Sequence, residues 1–339
     1  MGTGRSLFIT TKNLDYIRNT QEIAVLQETG QQVDIIGSSA DGYAKRLLQV
    51  YRKLLCCDFS RYDTIFVGFA PQLILPVFGR KFRKYAGQGG SITIDFFISV
   101  YDTMVCDRRK FKEASVGAGL CKWVDQTAMD MAHRVIVDTK AHGRYFHQMF
   151  GVQEEKLEVL YLQADTDLYY PHSVNRESLF GAASNQKIVL YFGSILPLQG
   201  VDIILRAISI MEAETDIHFI MIGPLKAAGE MNIPKQNNVT YIEWLPQEQL
   251  ADYIAAADLC LAGHFNDKIE KAKRTIPGKA YIYRALNKPM ILGDNEANRE
   301  LFDESQEGIA FCRMGSAESL CHAIRQCMDK IKQDIKKDE

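Results

Sequence analysis

Residues 190–208, LYFGSILPLQGVDIILRAI, run from an apolar strand through a glycine turn and a short polar loop into an amphipathic helix. A loop of that shape suits a phosphate, because backbone N–H groups and the positive end of a helix dipole converge on it. Gly193 and Gly200 would let the backbone approach phosphate oxygens closely. Yet the loop carries no Lys or Arg, and Ser194 and Gln199 stand where cations would contribute most. Further along, NDKIEKAKRTIPGK (266–279) concentrates Lys268, Lys271, Lys273, Arg274 and Lys279. In the first half, TIDFFISVYDTMVCDRRKFK (93–112) ends a strand in a polar loop bearing Asp95, Ser99, Tyr101, Asp102 and Asp107. A carboxylate there is the residue type that orients or deprotonates a hydroxyl. The plainer readings are that Asp102 caps a turn and that Asp107 pairs with Arg108 or Arg109.

The elements that must position these residues follow from the apolar pattern. SLFIT (6–10), QQVDIIG (31–37), YDTIFVGF (62–69), GSITIDFF (90–97), RVIVDT (134–139) and KLEVLYL (156–162) read as strands. After a break, KIVLYFG (187–193), IHFIMIG (217–223), VTYIEW (239–244), LCLAG (259–263), PMILG (289–293) and GIAFC (308–312) do the same. Helical patterns lie between them. In AKRLLQVYRKLLCC (44–57) the spacing predicts one buried face formed by Leu47, Leu48, Tyr51, Leu54 and Leu55. Strand–helix alternation of this kind signals parallel sheets covered by helices on both faces. The expected layout is one α/β domain over 1–165, a linker over 166–186 where Pro, Ser, Asn and Gly accumulate, a second domain over 187–315, and a C-terminal helix over 316–339.

The bulk composition, 47% hydrophobic and 24% charged, is that of a globular chain, with no apolar run long enough to span a membrane. The N-terminus lacks a signal-peptide layout, so a cytoplasmic location is expected. The eight Cys and seven His residues do not cluster at ligand spacing, so reduced thiols and no structural metal are expected. Residues 1–150 hold 20 Lys and Arg against 14 Asp and Glu, whereas the remainder holds 20 against 28. A basic first half suits an anionic surface. GRKFRKY (79–85) and DRRKFK (107–112) alternate cations with aromatics, but no nucleic-acid-binding signature accompanies them, and no nucleic-acid partner is expected.

Several blocks together resemble the retaining GT-B glycosyltransferases of glycosyltransferase family 4. YFGSILPLQGVDIILRAI with IHFIMIG resembles the segment carrying the donor diphosphate. NNVTYIEWLPQEQLADYIAAADLCLA is similar to the next block, and IPGKAYIYRALNKPMILGD to the one whose helix faces the nucleotide. HRVIVDTKAHGRYFHQMFGVQEEKLEVLYLQADTDLYYP resembles the end of the acceptor domain. The likeness covers roughly 90–325 and implies two Rossmann-like, doubly wound domains facing each other across a cleft. It implies a sugar moved from a nucleotide diphosphate sugar to a glycan or lipid-linked acceptor with retention, and no metal or other cofactor.

The departures are specific. The family's Arg and Lys of the first block fall at Ser194 and Gln199, and its two Glu fall at Arg274 and Ile282. The resemblance therefore puts the donor site on Gly193, Ser194, Gln199, Gly200 and Gly223, with Arg274 and Lys279 as a relocated phosphate clamp. A solvated basic loop is the plainer alternative for those two. It puts Asp95 and Asp102 on the acceptor side as candidate catalytic carboxylates. Arg80, Lys81, Arg83, Lys84, Arg108 and Arg109 become candidate contacts for an anionic membrane surface, with the protein peripheral at its inner face. A non-catalytic partner that keeps the fold but has lost the diphosphate site stays open beside the enzyme.

Overall fold

The computed structural model describes residues 4–224 and 233–338, which divide into two units at Gln163/Ala164. In the first unit the strands are β1 (Arg5–Ile9), β2 (Gln32–Ile36), β3 (Thr64–Val67), β4 (Ser91–Asp95), β5 (Arg134–Val137) and β6 (Leu157–Val159). All pair in parallel, in the order β2-β1-β3-β4-β5-β6. The helices are α1 (Ile17–Glu28), α2 (Tyr43–Cys56), α3 (Gly79–Gly87), α4 (Val116–Met131) and α5 (Lys140–Phe150). The core is aliphatic on the strands (Leu7, Ile9, Ile65, Val67, Ile92, Ile94) and aromatic on the helices (Phe82, Tyr85, Phe146, Phe150).

The second unit begins with α6 (Arg176–Phe180) and holds β7 (Lys187–Phe192), β8 (Ile217–Ile222), β9 (Val239–Ile242), β10 (Leu259–Gly263), β11 (Met290–Gly293) and β12 (Ile309–Cys312). Its remaining helices are α7 (Val201–Ile210), α8 (Gln247–Ala256), α9 (Glu270–Arg274), α10 (Gly278–Ala285) and α11 (Ala317–Asp338). The strand order β12-β11-β10-β7-β8-β9 is the doubly wound dinucleotide-binding order, with its switch point between β7 and β10. Eleven of the twelve strands fall inside the segments the apolar pattern predicts, and β1 starts one residue earlier, at Arg5.

Three expectations need correction. Leu48 and Leu55 of α2 are 51% and 71% exposed. The face that packs on the core is Leu47, Val50, Tyr51 and Leu54, the closer i, i+3, i+4, i+7 set. Residues 166–186 are not a free linker: Arg176 donates to the carbonyls of Ala256, Gln186 and Ser184 and pairs with Asp258 at 2.9 Å. That fan of bonds fastens the segment to the second unit. Nor does the C-terminal helix stand apart from the second domain, because Leu320, Cys321 and Ile324 of α11 are buried in its core beside α7.

Candidate functional site

At the switch point of the second sheet, the carboxyl ends of β7 and β10 turn outward at Gly193 and Gly263. Lys279, in the first turn of α10, reaches between them. A Cβ on Gly193 would lie 3.5 Å from Lys279 Nζ, and so would one on Gly263. The ammonium donates to Gln199 Oε1 and sits 4.8 Å from the centre of the Tyr191 ring. Lys279 is 6% exposed, and no carboxylate pairs with it among the described residues. Burial without a counter-charge lowers its pKa from 10.5 to about 7. The Tyr191 hydroxyl is also buried, lies 3.6 Å from the same Gly193 position, and has no hydrogen-bond partner among the described residues.

The loop itself is held by close backbone packing. Gly200 has φ +68°, and a Cβ there would meet the Asn266 amide nitrogen at 2.7 Å. A Cβ on Gly223 would meet the Gly193 carbonyl oxygen at 2.2 Å. These glycines bring the ends of β7 and β8 and the residues after β10 together. The N–H groups of Gly193 and Gly200 donate to the Ile222 and Pro197 carbonyls. What the glycines provide is therefore space. In the first turn of α10 the Ala280 N–H donates to the Pro277 carbonyl at 2.9 Å, while Gly278 and Lys279 occupy the positions whose N–H groups have no intrahelical acceptor. Ser194 is exposed. Arg274 is half-buried at the end of α9, a helix packed on the Pro197–Gln199 turn. The structure thus gathers Gly193, Gln199, Gly200, Gly223 and Lys279, and adds Tyr191, Gly263 and His264. His264 follows β10, and its Nδ1 lies 3.0 Å from the Thr275 carbonyl oxygen, tying that strand end to the chain entering α10. Sequence reasoning missed Tyr191. Its signal is a lone hydroxyl in the aliphatic run KIVLYF, one residue from the turn that opens the site.

In the first unit Asp95 closes β4 and is fully committed. Its carboxylate receives Arg18 at 2.9 and 3.4 Å, and both side chains are buried. Arg18 also pairs with Glu22 at 3.2 Å and donates to the Leu160 carbonyl. Burial, and then the neighbouring Asp95, push the Glu22 carboxyl well above the usual range. The network anchors α1 to the ends of β4 and β6. Asp102 is buried in a π-helical turn spanning Asp102–Asp107, with its backbone N–H bonded to Ser99 Oγ at 2.9 Å. The carboxylate that organises this loop is one the sequence reading passed over, Asp125 of α4. It accepts from Ser99 Oγ (2.7 Å) and from the N–H groups of Val100 (3.0 Å) and Tyr101 (2.8 Å).

The basic clusters separate into two kinds. Lys81 caps the end of α2, donating to the Leu54 carbonyl at 2.6 Å and to the Cys57 carbonyl, over the Phe59 ring. This lysine is a structural cap, not a surface contact. Arg80, Arg83, Lys84, Arg108 and Arg109 are exposed. No described helix is long and apolar enough to cross a membrane.

Residues 186–330 match the family model described as glycosyl transferases group 1. The D-inositol 3-phosphate glycosyltransferase of Mycolicibacterium smegmatis is 27% identical over 155 residues, 42% of this chain and 35% of that protein. The counterpart from Gordonia bronchialis is 32% identical over 85 residues, 24% of this chain and 18% of that one. The chain thus matches about a third or less of the length of these curated relatives. Sucrose-phosphate synthase from Thermosynechococcus elongatus superposes with a TM-score of 0.65 at 16% identity, covering 97% of this chain and 90% of that one. Anabaena HepE, solved in complex with UDP-glucose, gives 0.65 at 16% over 97% and 91%. By these likenesses the chain has the GT-B fold of two Rossmann-like domains, and its second unit matches the glycosyl transferases group 1 model.

Proposed function

We propose that the protein transfers a sugar from a nucleotide diphosphate sugar to a glycan or lipid-linked acceptor, with retention and without a metal. The observation that carries the reading is the buried Lys279 ammonium between two strand-end glycines at the switch point of a sheet in dinucleotide-binding order. A buried cation with no carboxylate partner is an incomplete ion pair, and a diphosphate completes it. Lys279, the Tyr191 hydroxyl and the N–H groups of Gly278 and Lys279 at the start of α10 then meet the charge that grows on the departing diphosphate. The glycosidic bond to the diphosphate breaks, the acceptor oxygen bonds the anomeric carbon from the same face, and its proton passes to the departing diphosphate oxygen. Arg274 supports the site from α9. UDP-sugars are the first donors to try, since Anabaena HepE, of the same fold, was solved with UDP-glucose.

Calorimetric titration with UDP, GDP and their sugars tests this reading. Binding of one nucleotide is expected, weakened about tenfold or more by Lys279→Ala, because one charge-assisted bond in a dry site contributes roughly 1.5–3 kcal/mol. Absence of binding to every nucleotide at millimolar ligand overturns the reading and returns the chain to the non-catalytic alternative.

A further inference from the structure

The first two turns of α4 bury Ala118 and Cys121 against the first unit, but their opposite face is not covered. Val116, Leu120 and Trp123 are 92%, 59% and 56% exposed, and their i, i+4, i+7 spacing aligns them on one face. Phe111, 39% exposed, continues this face, with its ring lying against Gly117 at the helix start. An outward stripe of three large apolar side chains on a helix that is otherwise well packed is not accounted for by folding.

The charges around the stripe identify what covers it. Arg108, Arg109, Lys110, Lys112 and Lys122 are all exposed beside it, against one exposed carboxylate, Glu113, in residues 108–123. Asp107 and Asp125 are buried, the latter holding the loop at Ser99–Tyr101. The segment that carries the cations is itself tied down: Arg108 N–H donates to the Thr103 carbonyl at 2.9 Å and Lys110 N–H to the Met104 carbonyl at 2.8 Å. A protein partner would need a matching acidic rim around an apolar centre. A second copy of this chain would bring the same cations against themselves. An anionic bilayer meets both demands at once, with phosphate headgroups for the cations and the headgroup–acyl boundary for the tryptophan and its apolar neighbours.

We infer that the N-terminal face of α4, with the 108–112 loop, docks the protein on an anionic lipid surface. Topology gives this face a purpose. α4 leads from β4 into the parallel strand β5, so it runs against the strands and its first turns lie at the carboxyl edge of the sheet. Ligands of doubly wound domains bind at that edge. A lipid-linked acceptor would thus meet the first unit from the side on which the membrane lies. The inference needs only this surface; the acceptor class it favours rests on the function proposed above.

The test uses the full chain with Trp244→Phe, which leaves Trp123 as the only tryptophan. With equimolar phosphatidylglycerol–phosphatidylcholine vesicles at about 0.15 M salt, Trp123 emission is expected to shift to the blue and to be quenched by brominated acyl chains. Pure phosphatidylcholine vesicles should leave it unchanged. Val116→Ser with Leu120→Ser should weaken vesicle binding about tenfold or more. Arg108→Gln with Lys110→Gln should do the same through charge alone. Nucleotide binding by calorimetry should survive in both double variants, so loss of docking and loss of the donor site read out separately. Unchanged Trp123 emission with anionic vesicles overturns the inference. So does pelleting that both double variants retain. A blue shift that grows with protein concentration in lipid-free buffer also overturns it, in favour of a second copy on this face.

Discussion

Donor binding is expected to take up a proton, and Lys279 is the group expected to receive it. Lys279 is buried against Gln199 Oε1 and the Tyr191 ring without a carboxylate, and burial lowers its pKa to about 7. At pH 8 the empty site then holds Lys279 protonated in only about one molecule in ten. A bound diphosphate supplies the missing counter-charge and restores the ammonium. The expected uptake is about 0.9 proton per donor bound at pH 8 and about 0.1 at pH 6. Affinity should therefore fall roughly tenfold per pH unit above pH 8, until the pKa of the complex is reached. A nucleotide diphosphate sugar is the right probe, because its diphosphate has no group that titrates in this range. Calorimetry at pH 8 in buffers of different ionisation enthalpy reads the uptake directly, and Lys279→Met is the control. Uptake below about 0.2 proton at pH 8, or the same uptake in Lys279→Met, would refute the argument.

The same group has a sign in stability. Between pH 7 and 10.5 the unfolded chain keeps the Lys279 proton and the folded chain releases it. The unfolded state binds more protons there, so this group makes stability rise with pH across that window, by up to about 1.4 kcal/mol per unit. Below pH 7 both states are charged and the cost of the buried ammonium is at its full value. Urea unfolding at pH 6.5 and pH 9 should show this rise in the wild type, and Lys279→Met should flatten that part of it.

Other substitutions follow from geometry. Tyr191→Phe removes a buried hydroxyl with no partner among the described residues, so the empty protein should keep or gain about 1 kcal/mol in urea unfolding while donor affinity falls several-fold. Asp95→Asn removes one of the two buried carboxylates that pair with Arg18, leaving Glu22 at 3.2 Å, and should cost about 1–3 kcal/mol in the same assay. Lys81→Met should cost about 1–2 kcal/mol by uncapping α2, and leave vesicle binding unchanged. Gly200→Ala meets both a positive φ and the Asn266 nitrogen, and should lower both the melting temperature and donor affinity.

Which parts of this were legible in the sequence depends on how local the determining interaction is. Strands buried on both faces are apolar along their whole length, so KIVLYF and IHFIMI declare themselves without any knowledge of their neighbours. The α2 face was misread at Leu48 and Leu55 because four leucines at mixed spacing fit two stripes, and only packing against the sheet selects one. The role of residues 166–186 turns on Arg176 meeting the Ala256 carbonyl eighty residues away in sequence, a distance over which composition carries no information. The site shows the same division more sharply. Gly193 and Gly200 are visible as a loop signature, since the backbone there demands glycine whatever lies opposite. The reading of Gln199 depends on a residue eighty positions later, from whose ammonium it accepts a hydrogen bond. An amide where the resemblance implies a lysine thus accepts from a lysine brought in by another helix, and that ammonium is buried without a carboxylate partner among the described residues. That pairing also explains why a local reading of the loop could go either way. The charge at a switch point belongs to whichever strand end or helix start can bring it there, and in this sheet α10 does so.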